Sequence, residues 1–257
     1  MILEMLLKRK FRHILNRMSA AWAKLFHEQK LSHDGCVLKY MFFDNRSNQL
    51  VVSFPACAPN ASRYNYVRTL KPFKVDKLFL LDDFADNHQG CYLVRDDVEA
   101  LVYKLLKTIV DKGRYEKILF IGSSKGGYSA LNFSFLIPNV DVVIGAPQYS
   151  LGSYLNKPDT IENLKFLLYG DVDEQKIKVL DNRLKNRILS SEIKPLNVFI
   201  HYSDKEATYD CHVKWMLEDL RHQGIAVSEN VEDYPLHSDM VRFFPSYLDK
   251  KLKELLA

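Results

Sequence analysis

Beyond residue 34 the chain alternates short apolar segments with amphipathic segments, and this alternation limits the folds open to it. Four apolar segments have the length of buried strands: 77–82, 117–122, 140–147 and 196–204. Helical periodicity occupies the intervening and following stretches 95–112, 161–170, 174–189, 207–223 and 239–256. Because parallel strands need long, usually helical crossovers, the pattern predicts an α/β fold with a mostly parallel sheet and helices on both faces.

Three further segments complete the predicted sheet, and a fourth is predicted to be an insertion. The strand-like segments 36–43 and 49–54 flank the turn sequence DNRSN, which predicts a hairpin, and 226–235 is a weaker strand. The stretch 148–195 is longer than one crossover needs, so a small helical insertion is expected there.

An amphipathic helix is predicted over residues 1–34, ahead of the α/β domain over 35–257. Apolar side chains recur every three or four positions from Leu3 to Leu25. Residues 1–30 contain seven Lys or Arg and two Glu, a balance of +5; since the whole chain carries +4, the other 227 residues sum to −1. Two roles stay open for this helix: packing on its own domain or a sister subunit, or binding a membrane surface, an anionic polymer or capsule-assembly proteins. The body of the chain lacks the basic surface that nucleic-acid binding needs.

Targeting and cysteine patterns predict a cytoplasmic protein. Basic residues follow the first apolar residues instead of preceding them, which is not the order in a signal peptide. No window reaches the roughly 18 uncharged apolar residues of a membrane span. The four cysteines form no CxxC pair and no zinc-ligand spacing, so reduced thiols and no metal are expected. Attachment of residues 1–30 to the inner face of the membrane stays open.

The sequence KILFIGSSKGGYSAL carries the strongest chemical motif. A P-loop needs its lysine directly after the second glycine, and a dinucleotide loop needs G-x-G-x-x-G; neither spacing is present. The nucleophile elbow G-x-S-x-G fits residues 122–126, between a predicted strand and a predicted helix. Gly122 and Gly126 supply the small residues that this sharp turn needs, and the pattern predicts Ser124, not Ser123, as the nucleophile. A well-packed connection without chemistry is the alternative.

A serine nucleophile needs a base, and the base needs a carboxylate to orient it. In elbow-containing hydrolases the chain order is Ser, acid, His. Asp204 ends an apolar strand, and His237 is the only one of eight histidines in a loop after the last predicted strand. Asp204 is equally suited to cap the next helix, and Asp233 and Asp239 are alternative acids near His237.

Backbone N–H groups near the elbow are the candidates for an oxyanion hole. The N–H of Lys125 is the first expected donor. The second is expected after an early strand, from Phe54 or Ala56, because the proline between them has no N–H. Tyr128 and Gln148 follow predicted strands closely and are candidate contacts to an acyl donor or acceptor.

Five segments together resemble the α/β-hydrolase-type capsular polysaccharide O-acetyltransferases, whose relatives serve bacterial glycan synthesis and accessory secretion. The segments are SFPACAPNASRYNYVRTL, FIGSSKGGYSAL, IGAPQYSLGSYL, HYSDKEATY and YPLHSDM. The resemblance runs from about residue 36 to the C-terminus, and its most specific element is GSSKGG combined with the downstream APQ segment.

The resemblance implies an α/β-hydrolase fold and an acetyl group that moves from acetyl-CoA to a polysaccharide hydroxyl through an acetyl-serine. By position, Ser124 matches the nucleophile, His237 the general base and Asp204 its orienting acid. The residues alone indicate only serine acyl chemistry. A carboxylesterase or deacetylase, and a non-catalytic subunit of a glycan-synthesis or secretion complex, therefore remain alternatives.

Overall fold

The structure, a computed structural model, describes residues 23–57, 62–85, 89–112 and 114–257. Within them one sheet contains the strands β1 (Glu28–His33), β2 (Cys36–Phe43), β3 (Gln49–Ser53), β4 (Asp76–Leu81), β5 (Lys117–Ser123), β6 (Val140–Gly145), β7 (Asn197–Tyr202) and β8 (Ala226–Val231). Their spatial order is β1-β2-β4-β3-β5-β6-β7-β8. The β1–β2 and β2–β4 pairs are antiparallel and the other pairs are parallel, which confirms the predicted mostly parallel sheet.

The helices connect these strands and cover the sheet. They are α1 (Val67–Leu70), α2 (Asp96–Val110), α3 (Lys125–Ser134), α4 (Leu151–Leu155), α5 (Ile161–Leu167), α6 (Glu174–Asp181), α7 (Arg183–Ser190), α8 (Lys214–His222) and α9 (Met240–Leu255). A π-helix, Tyr209–Val213, leads into α8, and a 3₁₀ turn, His237–Asp239, leads into α9. Every residue of β4 and β6 is buried, so both faces of the central sheet are covered. In the part of the chain described, no helix has the length and apolar character needed to cross a bilayer.

Helices α4 to α7 all lie between β6 and β7, the region in which the sequence predicts a helical insertion. The connections after β5, β6, β7 and β8 leave the same edge of the sheet, because these four strands are parallel. Side chains in these connections are thereby brought close together, as at the carboxyl edge of other parallel sheets.

The predicted N-terminal helix is wrong at its C-terminal end. Residues 23–27 are helical, but residues 28–33 form β1, which pairs with β2 across a two-residue turn at Asp34 and Gly35. Both turn residues have positive φ angles, 47° and 78°. An Asp-Gly pair is a preferred sequence for such a turn, because its backbone twist matches that of paired strands. The rest of the predicted helix, residues 1–22, lies outside the described residues.

The predicted hairpin between β2 and β3 is also wrong, because β4 lies between these two strands. The turn after β2 is held by the buried carboxylate of Asp76, at the start of β4. Asp76 Oδ1 accepts the N–H groups of Asn45 and Ser47 at 2.8 and 3.1 Å, and Asn45 Nδ2 donates to Val75 O at 2.6 Å. The turn therefore crosses the end of β4 instead of returning along β2.

Asp76 also accepts hydrogen bonds from Tyr115 Oη, at 2.7 Å, and from Arg114. Burial by itself raises the pKa of this carboxyl group, but the donors outweigh burial and hold the pKa below its ordinary value. A carboxylate whose pKa is lowered by folding stabilises the protein above its unfolded pKa, about 3.9 for Asp. That stabilisation is lost as the pH falls through the lower, folded-state pKa.

We expect Asp76→Asn to lower the free energy of unfolding at pH 7 by about 2–4 kcal/mol, because Arg114 loses its buried partner. Urea denaturation measures this difference, which should shrink as the pH is lowered towards 3. The control is Asp44→Asn: this carboxylate also contacts Arg114, at 3.1 Å, but is 47% exposed. Equal losses for the two variants would contradict the assigned role of Asp76.

Candidate active site

Ser124 lies at a sharp turn between β5 and α3. Its φ and ψ are 50° and −120°, a strained combination for a residue with a side chain. The Ser124 N–H donates to Gly145 O at 2.8 Å, and the Ser124 carbonyl accepts the N–H of Tyr128 at 3.0 Å. The surrounding backbone thus holds the strained residue in place.

Both glycines of the G-x-S-x-G pattern lie where a side chain does not fit. A Cβ atom on Gly122 would overlap the carbonyl of Gly126. A Cβ atom on Gly126 would lie 2.5 Å from Phe54 O, at the end of β3. The Oγ atom of Ser123 lies 2.6 Å from Tyr66 Oη, within hydrogen-bond distance. Of the two adjacent serines, Ser124 is therefore the one placed at the tip of the turn.

A chain of hydrogen bonds joins Ser124 to a histidine and a buried carboxylate. Ser124 Oγ is 2.9 Å from His237 Nε2, and His237 Nδ1 is 2.6 Å from Glu206 Oε1. The Glu206 side chain is 4% exposed and that of His237 is 30% exposed. Ser124 follows β5, His237 follows β8 and Glu206 follows β7. This is the arrangement of nucleophile, base and orienting acid that serine acyl chemistry needs.

The carboxylate that contacts His237 is Glu206 and not Asp204, the residue expected from the sequence. Asp204 is 46% exposed, and its Oδ1 lies 3.5 Å from Lys205 Nζ. The chain turns at once after β7, so the carboxylate two residues later reaches His237. The alternatives do not take this place either: Asp233 is exposed, and Asp239 Oδ1 is 3.2 Å from Arg242.

The turn that carries Glu206 is fixed on both sides. Ser203 Oγ accepts the N–H groups of Lys205 and Tyr234 at 3.1 and 3.2 Å, which links the end of β7 to the segment before His237. Thr208 Oγ1 donates to Glu206 Oε1, and Tyr209 N–H donates to Glu206 O at 2.9 Å. The π-helix begins at Tyr209; such helices occur frequently at functional sites.

Gln148 contacts Ser124 directly. This residue is 2% exposed, and its Nε2 donates to Ser124 Oγ at 3.0 Å. The next two N–H groups, those of Tyr149 and Ser150, donate to Nδ1 of the buried His212 at 3.1 and 3.3 Å. Since His212 lies in the π-helix, its ring ties the loop that carries Gln148 to the segment that carries Glu206.

His212 is held in its neutral form. Burial is the main cause that lowers its pKa, and the nearby charge of Lys157 lowers it further, to about 4. The geometry requires the same state, because Nδ1 accepts two N–H donors and so carries no proton itself.

The predicted oxyanion donors have different outcomes. The N–H of Lys125 stands at the first position of α3, where no intrahelical acceptor exists, and stays the predicted first donor. The expectation for Phe54 is wrong, because its N–H donates to Ile121 O at 2.9 Å within the sheet. The N–H of Ala56 is bound to Asn65 Oδ1 at 3.2 Å.

Two side chains near the elbow are structural. Lys125 Nζ is buried, where it donates to Asp82 Oδ2 at 2.9 Å and to Gln89 O at 2.7 Å. Tyr128 is fully buried with its ring centroid 5.6 Å from that of Tyr92, so the expected contact between Tyr128 and a donor or acceptor is wrong.

Among the residues that the structure describes, no group of three or more His, Cys, Asp or Glu can hold a metal ion.

The strand order, the elbow after β5 and the chain from serine through histidine to carboxylate define an α/β-hydrolase fold. The sequence matches no protein-family model and no curated protein sequence.

Solved structures do match. The capsule O-acetyltransferase of Neisseria meningitidis serogroup A is 17% identical with a TM-score of 0.71, covering 87% of this chain and 93% of that chain. A mutant of the same protein in complex with CoA matches equally well, at 16% identity and a TM-score of 0.71 over 88% of this chain and 94% of that chain.

Two other matches are more distant. The glycosylation-associated protein complex Gap123 of Streptococcus agalactiae is 15% identical with a TM-score of 0.67, over 88% of this chain and 46% of that chain. The Pyrococcus furiosus esterase PF2001 is 18% identical with a TM-score of 0.59, over 90% of each chain. At these identities the matches establish a shared fold.

The neutral state of His212 predicts a specific loss of stability in acid. Between pH 6.5 and about 4 the unfolded chain binds a proton at this residue that the folded chain does not, so the free energy of unfolding falls as the pH is lowered. The full effect is roughly 3 kcal/mol. His212→Gln should have a flatter pH dependence in this interval, measured by urea denaturation.

The matched control is His222→Gln, an exposed histidine on α8. This variant should keep the pH dependence of the unaltered protein. An unchanged slope for His212→Gln would show that His212 is not held neutral.

Proposed function

We propose that this protein is an acyltransferase that moves an acetyl group from acetyl-CoA to a hydroxyl group of a bacterial surface polysaccharide. The observation that carries the proposal is the hydrogen-bonded chain from Ser124 through His237 to Glu206, with distances of 2.9 and 2.6 Å. The structural similarity to a capsule O-acetyltransferase, one structure of which contains CoA, supports the choice of donor and acceptor.

In the first step His237 Nε2 takes the proton of Ser124 as Oγ attacks the thioester carbon. Glu206, on Nδ1, orients the ring and stabilises the imidazolium ion that forms. The negative carbonyl oxygen of the intermediate faces the N–H of Lys125. The carbon–sulfur bond then breaks, the sulfur takes the proton from His237, and free CoA leaves acetyl-Ser124 behind.

The second step reverses these roles. The acceptor hydroxyl gives its proton to His237 as its oxygen attacks the acetyl ester, and Ser124 Oγ leaves and regains the proton. Gln148 Nε2, 3.0 Å from Oγ, donates to this oxygen while it carries negative charge in either step. Gln148 thus acts on the reacting atom itself, in addition to any contact with the donor or acceptor.

A carboxylesterase or deacetylase is the second candidate, favoured by the structural similarity to an archaeal esterase. It would use the same three residues with water as the acceptor, and the difference lies in whether the acetyl-enzyme is shielded from water. Acetyl-CoA consumption with and without a polysaccharide separates the two: a transferase releases CoA faster with the acceptor, whereas an esterase does not.

A non-catalytic subunit is less well supported. Such a protein needs no contact between Ser124 and His237, whereas the two side chains lie 2.9 Å apart. The similarity to a glycosylation-associated complex nevertheless favours partners in glycan assembly. We place the enzyme in the cytoplasm, with the basic residues 1–30 attaching it to capsule-assembly proteins or to the anionic inner face of the membrane.

The acetyl-enzyme is the direct test. Protein mixed with acetyl-CoA and quenched in acid should gain about 42 Da, the mass of one acetyl group, on the peptide that contains Ser124. Mass spectrometry should find no adduct in Ser124→Ala and a retained adduct in Ser123→Ala, the adjacent serine. Addition of an acceptor polysaccharide should discharge the adduct and produce ester-linked acetate on the polymer. An adduct that survives in Ser124→Ala contradicts the assigned nucleophile.

The identity of the orienting acid is tested separately. Glu206→Gln should lower kcat by about 10²–10⁴ with little change in KM, because the amide no longer stabilises the imidazolium ion. Asp204→Asn should leave the rate of CoA release unchanged, since its carboxylate is exposed and points to Lys205. Circular dichroism checks that both variants fold. The opposite ranking of the two variants would restore Asp204 as the acid.

A further inference from the structure

A cavity of about 340 Å³ lies beside the elbow. We call it the donor cavity and define it by Ala56, Cys57, Arg63, Tyr66, Met240 and Phe244, six of the residues that line it. Residues 56–57 and 63–66, on the C-terminal side of β3, form one wall, and the first part of α9 forms the other. Its volume is at the lower end of the range for small-molecule sites, which suits part of a cofactor.

The donor cavity is lined by residues close in the chain to Ser124 and to His237. Ser123, the neighbour of the nucleophile, also lines it, and Met240 directly follows the 3₁₀ turn that contains His237. The segment after β3 packs against the elbow, since Gly126 lies in contact with Phe54. The cavity is therefore a candidate site for the rest of a molecule whose carbonyl group is bound at Ser124.

The lining is aromatic and apolar, with one charge. Tyr66 and Phe244 meet edge to face, with ring centroids 6.0 Å apart. Tyr66 has a φ of 59°, a strained value for an aromatic residue. The hydrogen bond between Tyr66 Oη and Ser123 Oγ, 2.6 Å, fixes this ring beside the elbow. Strain held in this way is common where a backbone is shaped for a ligand.

Among the residues that the structure describes, Arg63 is the charged residue of the donor cavity, and no described Asp or Glu lines the cavity with it. Arg63 is exposed, and none of the carboxylates described in the structure lies within ion-pair distance of it. Most other described arginines are paired: Arg95, Arg114, Arg183, Arg187, Arg221 and Arg242. A guanidinium group at the edge of an apolar cavity, with no acid partner in the described part of the chain, is suited to a phosphate group.

We propose that the donor cavity receives the pantetheine arm of the acyl donor and that Arg63 binds one of its phosphates. This proposal rests on the proposed transfer from acetyl-CoA. The apolar walls contact the alkyl and amide groups of the arm, and the guanidinium group contributes charge-assisted hydrogen bonds. Arg63 is thereby a residue that selects a phosphate-bearing thioester over a simple acetyl ester.

Calorimetric titration with CoA itself tests this site without any reaction. Arg63→Gln should weaken CoA binding about tenfold to a hundredfold, the loss expected for hydrogen bonds to a charged group. Pantetheine, which has no phosphate, should bind both proteins equally. Raising the salt concentration should weaken CoA binding more for the unaltered protein than for the variant. Dephospho-CoA shows which phosphate is bound, because it lacks only the 3′-phosphate.

Two further variants complete the experiment. Arg46→Gln is the matched control: this exposed arginine lies in the turn between β2 and β3, at the opposite edge of the sheet, and its loss should leave CoA binding unchanged. Val241→Trp, at a cavity-lining position that is 69% exposed, should weaken CoA and pantetheine alike by filling the space.

Each outcome separates this proposal from the proposed function. If Arg63→Gln and Val241→Trp both bind CoA normally while acetyl-CoA still acetylates Ser124, the donor cavity is wrongly assigned and the proposed acyltransferase activity is retained. If Arg63→Gln weakens CoA binding but Ser124 is never acetylated, the proposed CoA site is supported and the proposed acetyl transfer through Ser124 is contradicted. Equal weakening of CoA and pantetheine by Arg63→Gln overturns the phosphate contact.

Discussion

The close approach of the elbow to the end of β3 is the contact on which the site depends. Gly126 lies so near the Phe54 carbonyl that no side chain fits between them, and this packing is two residues from the strained backbone of Ser124. The hydrogen bond from Ser124 N–H to Gly145 O adds a second constraint from the neighbouring strand. Because these contacts fix the backbone and not merely the side chain, the Oγ atom has a defined position relative to groups on other loops.

Three sets of polar contacts hold the segments around Ser124 together. Ser203 links the turn of Glu206 to the segment before His237, and His212 links the π-helix to the loop that carries Gln148. The buried ion pair of Lys125 with Asp82 secures the first turn of α3. Each set includes a buried polar group with a specific hydrogen-bond partner. Other arrangements of the loops would leave that group unpaired, so these contacts favour a single arrangement.

Much of the fold follows from sequence periodicity. The central strands and the helices between them were predictable because burial on both faces gives unbroken apolar segments, such as β5 and β6. Which strands lie next to each other in the sheet was less predictable. The turn after β2 resembles a hairpin turn locally, and only the distant carboxylate of Asp76 diverts it past β4. The Asp34–Gly35 pair is a local sequence signal for the turn between β1 and β2. The helical periodicity of the preceding residues nevertheless led to the prediction of a helix up to residue 34.

Local sequence was enough to find the serine at the turn and the histidine that contacts it, because the G-x-S-x-G spacing is a local steric requirement and His237 is the one histidine in a loop after the last predicted strand. Tertiary structure decided which carboxylate contacts that histidine. Asp204 and Glu206 both follow β7, and the choice depends on the direction of a turn that distant residues fix. It also decided that the N–H of Phe54 is used within the sheet and that Tyr128 is buried, since spacing along a chain does not specify which groups are already paired or enclosed.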